Sequence, residues 1–116
     1  MAFYPPGRKN VLVTGGAGFI GSHLCDALVK ARYRVIIIDN LSNSQKENLN
    51  PKAKFYKVNI CSPDIKNIFQ KEKPNIVFHL AAQINLEKSI ENPVFDAKTN
   101  IFGSLNILEA SQKNNI

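Results

Sequence analysis

The chain has 116 residues, 44% hydrophobic and 21% charged, the make-up of one globular domain rather than of a disordered segment. No apolar run approaches the roughly 20 residues that a membrane-spanning helix requires, and the first ten residues lack the apolar stretch of a secretory signal. Lys and Arg outnumber Asp and Glu by 15 to 9, a net charge of +6. Such a field favours anionic ligands in general, but the lysines between Lys46 and Lys73 are spread out and accompany no recognition motif, which argues against nucleic acid.

Residues 1–9, broken by Pro5, Pro6 and Gly7, read as a flexible lead-in to a domain over residues 10–116. Cys25 and Cys61 form no C-x-x-C pair and have no histidine cluster nearby. They read as reduced, structural thiols in a cytoplasmic protein.

Short, unbroken apolar runs alternate with helical patterns along the chain. Val11–Val13, Val35–Ile38 and Ile76–Phe78 have the β-branched continuity of parallel strands covered on both faces. Phe55-Tyr56-Lys57-Val58 is more mixed, as suits a strand at a sheet edge. From Gly21, the spacing of Leu24, Cys25, Leu28 and Val29 predicts a one-faced helix. Ser62 as cap and Pro63 in the first helical position predict a second helix running to about Lys71. A last helix is predicted from near Pro93, with Val94, Ala97, Ile101, Leu105 and Leu108 as its core stripe and Phe95 and Phe102 on the shoulder. This order specifies an α/β, Rossmann-like doubly wound parallel sheet of about four strands. Right-handed crossovers place the strands 3-2-1-4, with a crevice between the first and fourth where the order reverses.

The strongest local signal is Thr14-Gly15-Gly16-Ala17-Gly18-Phe19-Ile20-Gly21. Gly16, Gly18 and Gly21 fit G-x-G-x-x-G, and Gly15, Gly18 and Gly21 fit G-x-x-G-x-x-G. In a strand-to-helix turn such glycines give a left-handed backbone, close approach to a pyrophosphate, and close packing of helix on strand. The pyrophosphate then meets unpaired amides and the positive end of the helix dipole. The pattern follows an apolar strand and opens an amphipathic helix, which is the context it requires. Asp39 ends the second strand, 18 residues beyond Gly21. A carboxylate there can accept both ribose hydroxyls of an adenosine and repels a 2′-phosphate, so the expected cofactor is NAD rather than NADP.

With Thr14–Gly21, Asp39-Asn40-Leu41-Ser42 and His79-Leu80-Ala81-Ala82-Gln83 in place, followed by Asn92-Pro93 and Asn100, the chain resembles the extended short-chain dehydrogenase/reductase family. The likeness runs from about Asn10 to the end. It is nearest the NAD-dependent sugar-nucleotide branch, the UDP-glucose 4-epimerases and their dehydratase relatives. The resemblance implies a pyrophosphate held by the backbone from Gly15 through Ala17, Gly18, Phe19 and Ile20. It implies Asp39 on the adenosine ribose, with Asn40, Asn43 and Ser44 beside it. Asn59-Ile60 stands where the family has an Asp-Ile pair on the adenine; the Asn59 amide oxygen can still accept from an adenine amino group. Leu80, Ala81, Ala82 and Gln83 would line the nicotinamide side, and Asn100 would face the crevice. The last helix would join a bundle with a second copy. His79, at a buried strand end, reads as a hydrogen-bonded core residue, and His23 as a solvated one.

The family's chemistry runs through a Tyr-x-x-x-Lys pair and a nearby Ser or Thr, removing hydride from the sugar C4 and returning it to the other face of a 4-keto sugar. Here Tyr4, Tyr33 and Tyr56 are followed four residues on by Arg8, Ile37 and Ile60. On the resemblance the chain is therefore expected to be the N-terminal, NAD-binding portion of an epimerase, without catalytic residues, metal ligands or substrate-binding domain, and inactive alone. A non-catalytic NAD-binding module, and part of a 4,6-dehydratase or decarboxylase, are the alternatives. The fourth strand's open edge and the last helix are expected to drive self-association, and a nucleotide-sugar would be a partner only with the missing part supplied.

Overall fold

The computed structural model describes residues 8–42, 44–81 and 90–116. Strand β1 (Asn10–Thr14), helix α1 (Phe19–Lys30), strand β2 (Arg34–Ile38), a 3-10 turn (Lys46–Asn48), strand β3 (Lys54–Tyr56), helix α2 (Asp64–Glu72) and strand β4 (Ile76–His79) follow in the expected order. A final helical run begins as α3 (Pro93–Ala97), passes through a π-helical segment (Lys98–Phe102) and continues as α4 (Gly103–Lys113). The sheet is parallel in the order β3-β2-β1-β4, as expected, with Leu12 opposite both Ile36 and Val77.

The unbroken apolar runs of β1 and β2 are explained by two covered faces; β4, expected to be covered likewise, lies at the sheet edge and is only partly covered, with Phe78 exposed. Leu12, Ile36 and Ile38 point to one side, where they pack with Ile65, Ile68 and Phe69 of α2 and with Ile107 and Ala110 of α4. Val11, Val13, Val35 and Ile37 point to the other and pack with Cys25 of α1. Full burial of each such side chain contributes about 1.5–3 kcal/mol relative to exposure. Burial, and then the charge of Asp26, push the Cys25 thiol up to about 12. Both cysteines are free.

Local details depart from the sequence pattern. α1 starts at Phe19, two residues before Gly21, because the Gly18 carbonyl already accepts the Ser22 amide at 2.9 Å. β3 ends at Tyr56, so Lys57 and Val58 lie beyond it. The Ser62 hydroxyl accepts the Asp64 amide at 3.1 Å, and Pro63 is already in helical geometry with φ −64°. Ser62 therefore bonds the start of α2, which begins at Asp64, one residue later than expected, with Pro63 in the cap position. Of the lead-in, Arg8 and Lys9 are described: Arg8 Nη2 donates to the Tyr33 carbonyl, and the Lys9 carbonyl accepts the Arg34 amide.

The last helix corrects the expectation more substantially. Of the expected core stripe, Val94, Ile101, Leu105 and Leu108 are 76%, 62%, 58% and 64% exposed, and Ala97 is exposed too. Phe95 and Phe102 are exposed as well. The buried face of α4 is instead Gly103, Ile107 and Ala110. Glycine is required at 103 because the helix lies very close to the 59–62 turn there: a methyl on Gly103 would stand 2.4 Å from Ile60 Cδ1. The Asn106 side chain also donates to the carbonyls of Ile60 and Ser62. Among the described residues no helix is long and apolar enough to cross a membrane.

At the amino-terminal end of the sheet, away from the crevice, the Glu72 carboxylate is fully buried against Arg34 (2.6 Å), Lys54 (2.9 Å) and the Tyr56 hydroxyl. Burial alone would raise its carboxyl. The hydrogen bonds from Tyr56, Lys54 and Arg34 outweigh that and hold it at about 2, below the ordinary 4.5. The cluster ties β2 and β3 to the end of α2 and leaves the opposite end of the sheet for ligand.

Candidate cofactor-binding site

The loop between β1 and α1 decides which glycine pattern is at work. Gly15 has φ +74°, and a methyl on it would lie 2.9 Å from the Ala81 amide nitrogen. Gly18 precedes the first residue of α1, and a methyl on Gly21 would lie 2.1 Å from the Gly15 carbonyl oxygen. Gly15, Gly18 and Gly21 therefore carry the turn. Gly16 belongs to the core, its missing side chain giving room to Ile37 and Cys25. The Gly15 amide donates to the Ile38 carbonyl at 2.8 Å, anchoring the loop to β2. No side chain caps α1, and its first turn holds no acidic residue. An uncapped helix start of this kind offers its amides and its dipole to an anion.

Asp39 is 8% exposed and holds two segments together. Its Oδ2 accepts the Ala17 amide at 3.1 Å, and its Oδ1 accepts the Leu41 amide at 2.8 Å and the Ser44 hydroxyl at 2.9 Å. Leu41 is left-handed, φ +62°, in a turn where the Asn40 side chain also accepts the Ser42 amide. A left-handed leucine is costly by about 1–2 kcal/mol. The Asp39 carboxylate offsets that cost by holding the turn, so it organises the site's loops and retains Oδ2 acceptor capacity for a ligand.

The floor of the site is set by a chain of hydrogen bonds. Thr14 Oγ1 accepts the Leu80 and Ala81 amides at 3.0 and 3.1 Å and stands 2.6 Å from His79 Nδ1. His79 Nε2 stands 2.9 Å from Ser104 Oγ, which donates to the Asn100 carbonyl at 2.7 Å. Burial pushes the His79 imidazole below its ordinary value. His79 is thus hydrogen-bonded on both nitrogens, as expected of it. His23 is exposed, with its ring edge-on to Phe19.

These elements enclose a cleft of about 320 Å³ between the ends of β1, β2 and β4. Gly15, Gly18, Phe19, Ile20, Asp39, Asn40, Ser44, Ile60, Leu80 and Ala81 line it, all of them residues singled out in the sequence. Ser42 and Val58 line it too and were missed. The alternation of Tyr56, Val58 and Ile60 carried the signal for Val58, and Ser42 stands in the Asp39–Ser42 segment that carries the family resemblance without having been given a role. Asn59 points elsewhere: it is exposed, and its side-chain oxygen accepts the Cys61 amide at 2.8 Å. Asn100 is half-buried in the π segment and outside the cleft lining, its carbonyl taken by Ser104. Asn43, Ala82 and Gln83 lie outside the described residues.

The residues fit a dinucleotide. Any side chain at Gly15 or Gly21 would fill the hollow at the start of α1, the Asp39 carboxylate lies in the cleft lining at the end of β2, and Val58 and Ile60 provide an apolar flank. A cleft with these features, where the strand order reverses, defines a dinucleotide-binding domain of the doubly wound α/β class. Sequence comparison agrees, and the family's sequence model matches residues 11–116. The chain belongs to the NAD-dependent epimerase/dehydratase family. It is 51% identical to the UDP-glucose 4-epimerase of Thermotoga maritima, solved with UDP-glucose, with a TM-score of 0.90 over 92% of this chain and 35% of that one. It is 38% identical to the Thermus thermophilus UDP-glucose 4-epimerase solved in complex with NAD, with a TM-score of 0.88 over 92% and 35%. The UDP-glucose 4-epimerase of Mycolicibacterium smegmatis is 41% identical over 87% of this chain and 34% of its own length. The chain thus spans about a third of the relatives it matches.

Proposed function

We propose that this chain is the NAD-binding portion of a nucleotide-sugar 4-epimerase, with the adenosine half of NAD and its pyrophosphate held in the cleft at the ends of β1, β2 and β4. The observation that carries the reading is the glycine cradle opposite Asp39, at the point where the strand order reverses.

In this reading the backbone of Gly15 to Ile20 binds the pyrophosphate through amides and the α1 dipole. Asp39 binds the ribose, aided by Asn40, Asn43 and Ser44, while Ile60 packs on the adenine beside Asn59. Leu80, Ala81, Ala82 and Gln83 border the nicotinamide side, and Asn100 stands behind them. NAD, when bound, supplies a hydride acceptor and then a hydride donor. The chain's own residues bind and orient it and keep apolar groups around it. No tyrosine in the sequence is followed four residues later by lysine, so proton transfer to and from the sugar, and recognition of the nucleotide-sugar, are assigned to residues outside these 116. The resulting reaction of the whole protein is oxidation at the sugar C4 and re-reduction through a 4-keto sugar.

The exposed apolar face of Val94, Ile101, Leu105 and Leu108, and the β4 edge with Phe78, support self-association through one or both surfaces. Free thiols at Cys25 and Cys61 support a reducing, cytoplasmic setting.

The test is calorimetric titration with NAD and with NADP, on the chain and on its Asp39→Ala variant. The reading expects NAD to bind in preference to NADP, and the preference to vanish in the variant. Equal binding of both cofactors by the unaltered chain would refute it.

A further inference from the structure

The hydrogen-bond chain through His79 has a direction that the heavy-atom positions fix. Thr14 Oγ1 already accepts two amides, that of Ala81 and that of Leu80, the latter shared with the Thr14 carbonyl oxygen at 3.1 Å. A hydroxyl oxygen has two acceptor sites and one proton. Both acceptor sites are used, so the Thr14 proton must go to His79 Nδ1, 2.6 Å away. Nδ1 is then an unprotonated acceptor. The hydroxyl of Ser104 gives its proton to the Asn100 carbonyl, which leaves Ser104 Oγ to accept from His79 Nε2–H. Every donor and acceptor is matched only if the ring is neutral, with its proton on Nε2.

The two ends of this chain matter to the cleft. At one end are the amides of Leu80 and Ala81, whose residues line it; this stretch lies so near the loop that Gly15 can carry no side chain. At the other end is the π segment, where the Asn100 carbonyl is accommodated by a side chain. π-helical segments recur at functional positions in helices.

We propose that His79 is a positioning residue for the cofactor cleft, a neutral relay that fixes the Leu80–Ala81 backbone on one side and the Asn100 carbonyl on the other, so that acidification loosens the cleft and weakens dinucleotide binding. The inference rests on the reading of the cleft as an NAD site. A proton added at Nδ1 would face an oxygen with no acceptor site left, and the Thr14 hydroxyl proton would lose its partner. Thr14 would then turn away from at least one of the two amides. Among the described residues, the groups facing the ring from the elements packed on β4 are the uncharged hydroxyls of Thr14 from β1 and Ser104 from α4. Burial lowers its value from the ordinary 6.5. The neutral relay is therefore complete above about pH 6.5 and is lost as the pH falls through the lower value of the folded state.

The experiment is nitrogen-15 NMR of the imidazole and amide exchange at Leu80 and Ala81 across that pH range, with NAD titrations at each end. The Nε2–H tautomer is expected near neutrality, together with slow exchange at Ala81 that quickens as His79 titrates, while Leu80, held also by the Thr14 carbonyl, changes less. NAD affinity is expected to fall about tenfold over the same step. His79→Asn keeps an acceptor toward Thr14 but cannot titrate; it should retain amide protection and bind NAD without a pH step. His79→Phe should lose the protection at every pH. An Nδ1–H tautomer, or a pH step that persists in His79→Asn, would overturn the proposal. Failure of the unaltered chain to bind NAD at neutral pH, with the tautomer and exchange results as expected, would instead remove the NAD reading and leave the relay standing.

Discussion

Gly21 and Gly15 are neighbours only because Gly21 has no side chain: a methyl there would lie 2.1 Å from the Gly15 carbonyl oxygen. The obstacle is backbone, so it cannot rotate away. Gly21→Ala is expected to push α1 off the loop, costing about 1–3 kcal/mol in stability and abolishing measurable NAD binding. Urea denaturation followed by NAD titration of the variant checks both. Gly16→Ala would meet Ile37 side-chain carbons instead, and is expected to lose stability while keeping NAD binding at conditions where it is folded.

Asp39 is expected to be a structural residue as well as a ligand. Asp39→Ala leaves the Ala17 and Leu41 amides and the Ser44 hydroxyl without their acceptor, a loss of about 1–3 kcal/mol. Ser44→Ala removes one of these bonds and should cost about 1 kcal/mol or less. Denaturation midpoints of the two variants give the comparison, and equal midpoints would contradict it.

Glu72 gives the fold a dependence on acid. Its carboxyl is held at about 2 against an ordinary 4.5, so the folded state binds its proton less readily than the unfolded chain. The stability this contributes, on the order of 3 kcal/mol, is fully present above pH 4.5 and is lost as the pH falls through about 2. Glu72→Gln is expected to be destabilised near neutral pH, with the gap to the unaltered chain closing toward pH 2. Chemical denaturation at a series of pH values would reveal the closing gap.

The two faces of α4 should respond oppositely. Leu105→Gln and Leu108→Gln alter exposed residues and are expected to change stability by about 0.5 kcal/mol or less, while reducing self-association in light scattering. Ile107→Ala, on the buried face, is expected to cost about 2–5 kcal/mol without any direct effect on association.

That contrast also marks where the sequence misleads. The strands were legible because Val11–Val13 and Val35–Ile38 are covered on both faces, so every position in them is apolar. The glycine loop and Asp39 were legible because their chemistry is local, within a few residues of a strand end. The last helix was not. Its most hydrophobic stripe, Val94 through Leu108, faces outward, and the face that packs is Gly103, Ile107 and Ala110. Close approach selects glycine at 103 and favours the small Ala110, and a reading weighted by hydrophobicity passes over both, leaving Ile107 as the only strongly apolar residue of that face. The relay from Thr14 through His79 to Ser104 was also hidden, since it spans strands and a helix far apart in sequence. The left-handed Leu41 turn depends on a carboxylate whose most distant partner, Ala17, lies 22 residues away.

The measurement that tests the central claim most directly is the change in amide chemical shifts when NAD is added to nitrogen-15-labelled protein. The account predicts the largest shifts at Gly15 and Ala17–Ile20, at Asp39 and Asn40, and at Leu80 and Ala81, with little change around Glu72 at the far end of the sheet. Shifts concentrated away from the glycine loop would contradict it, as would saturating NAD that moves none of these amides.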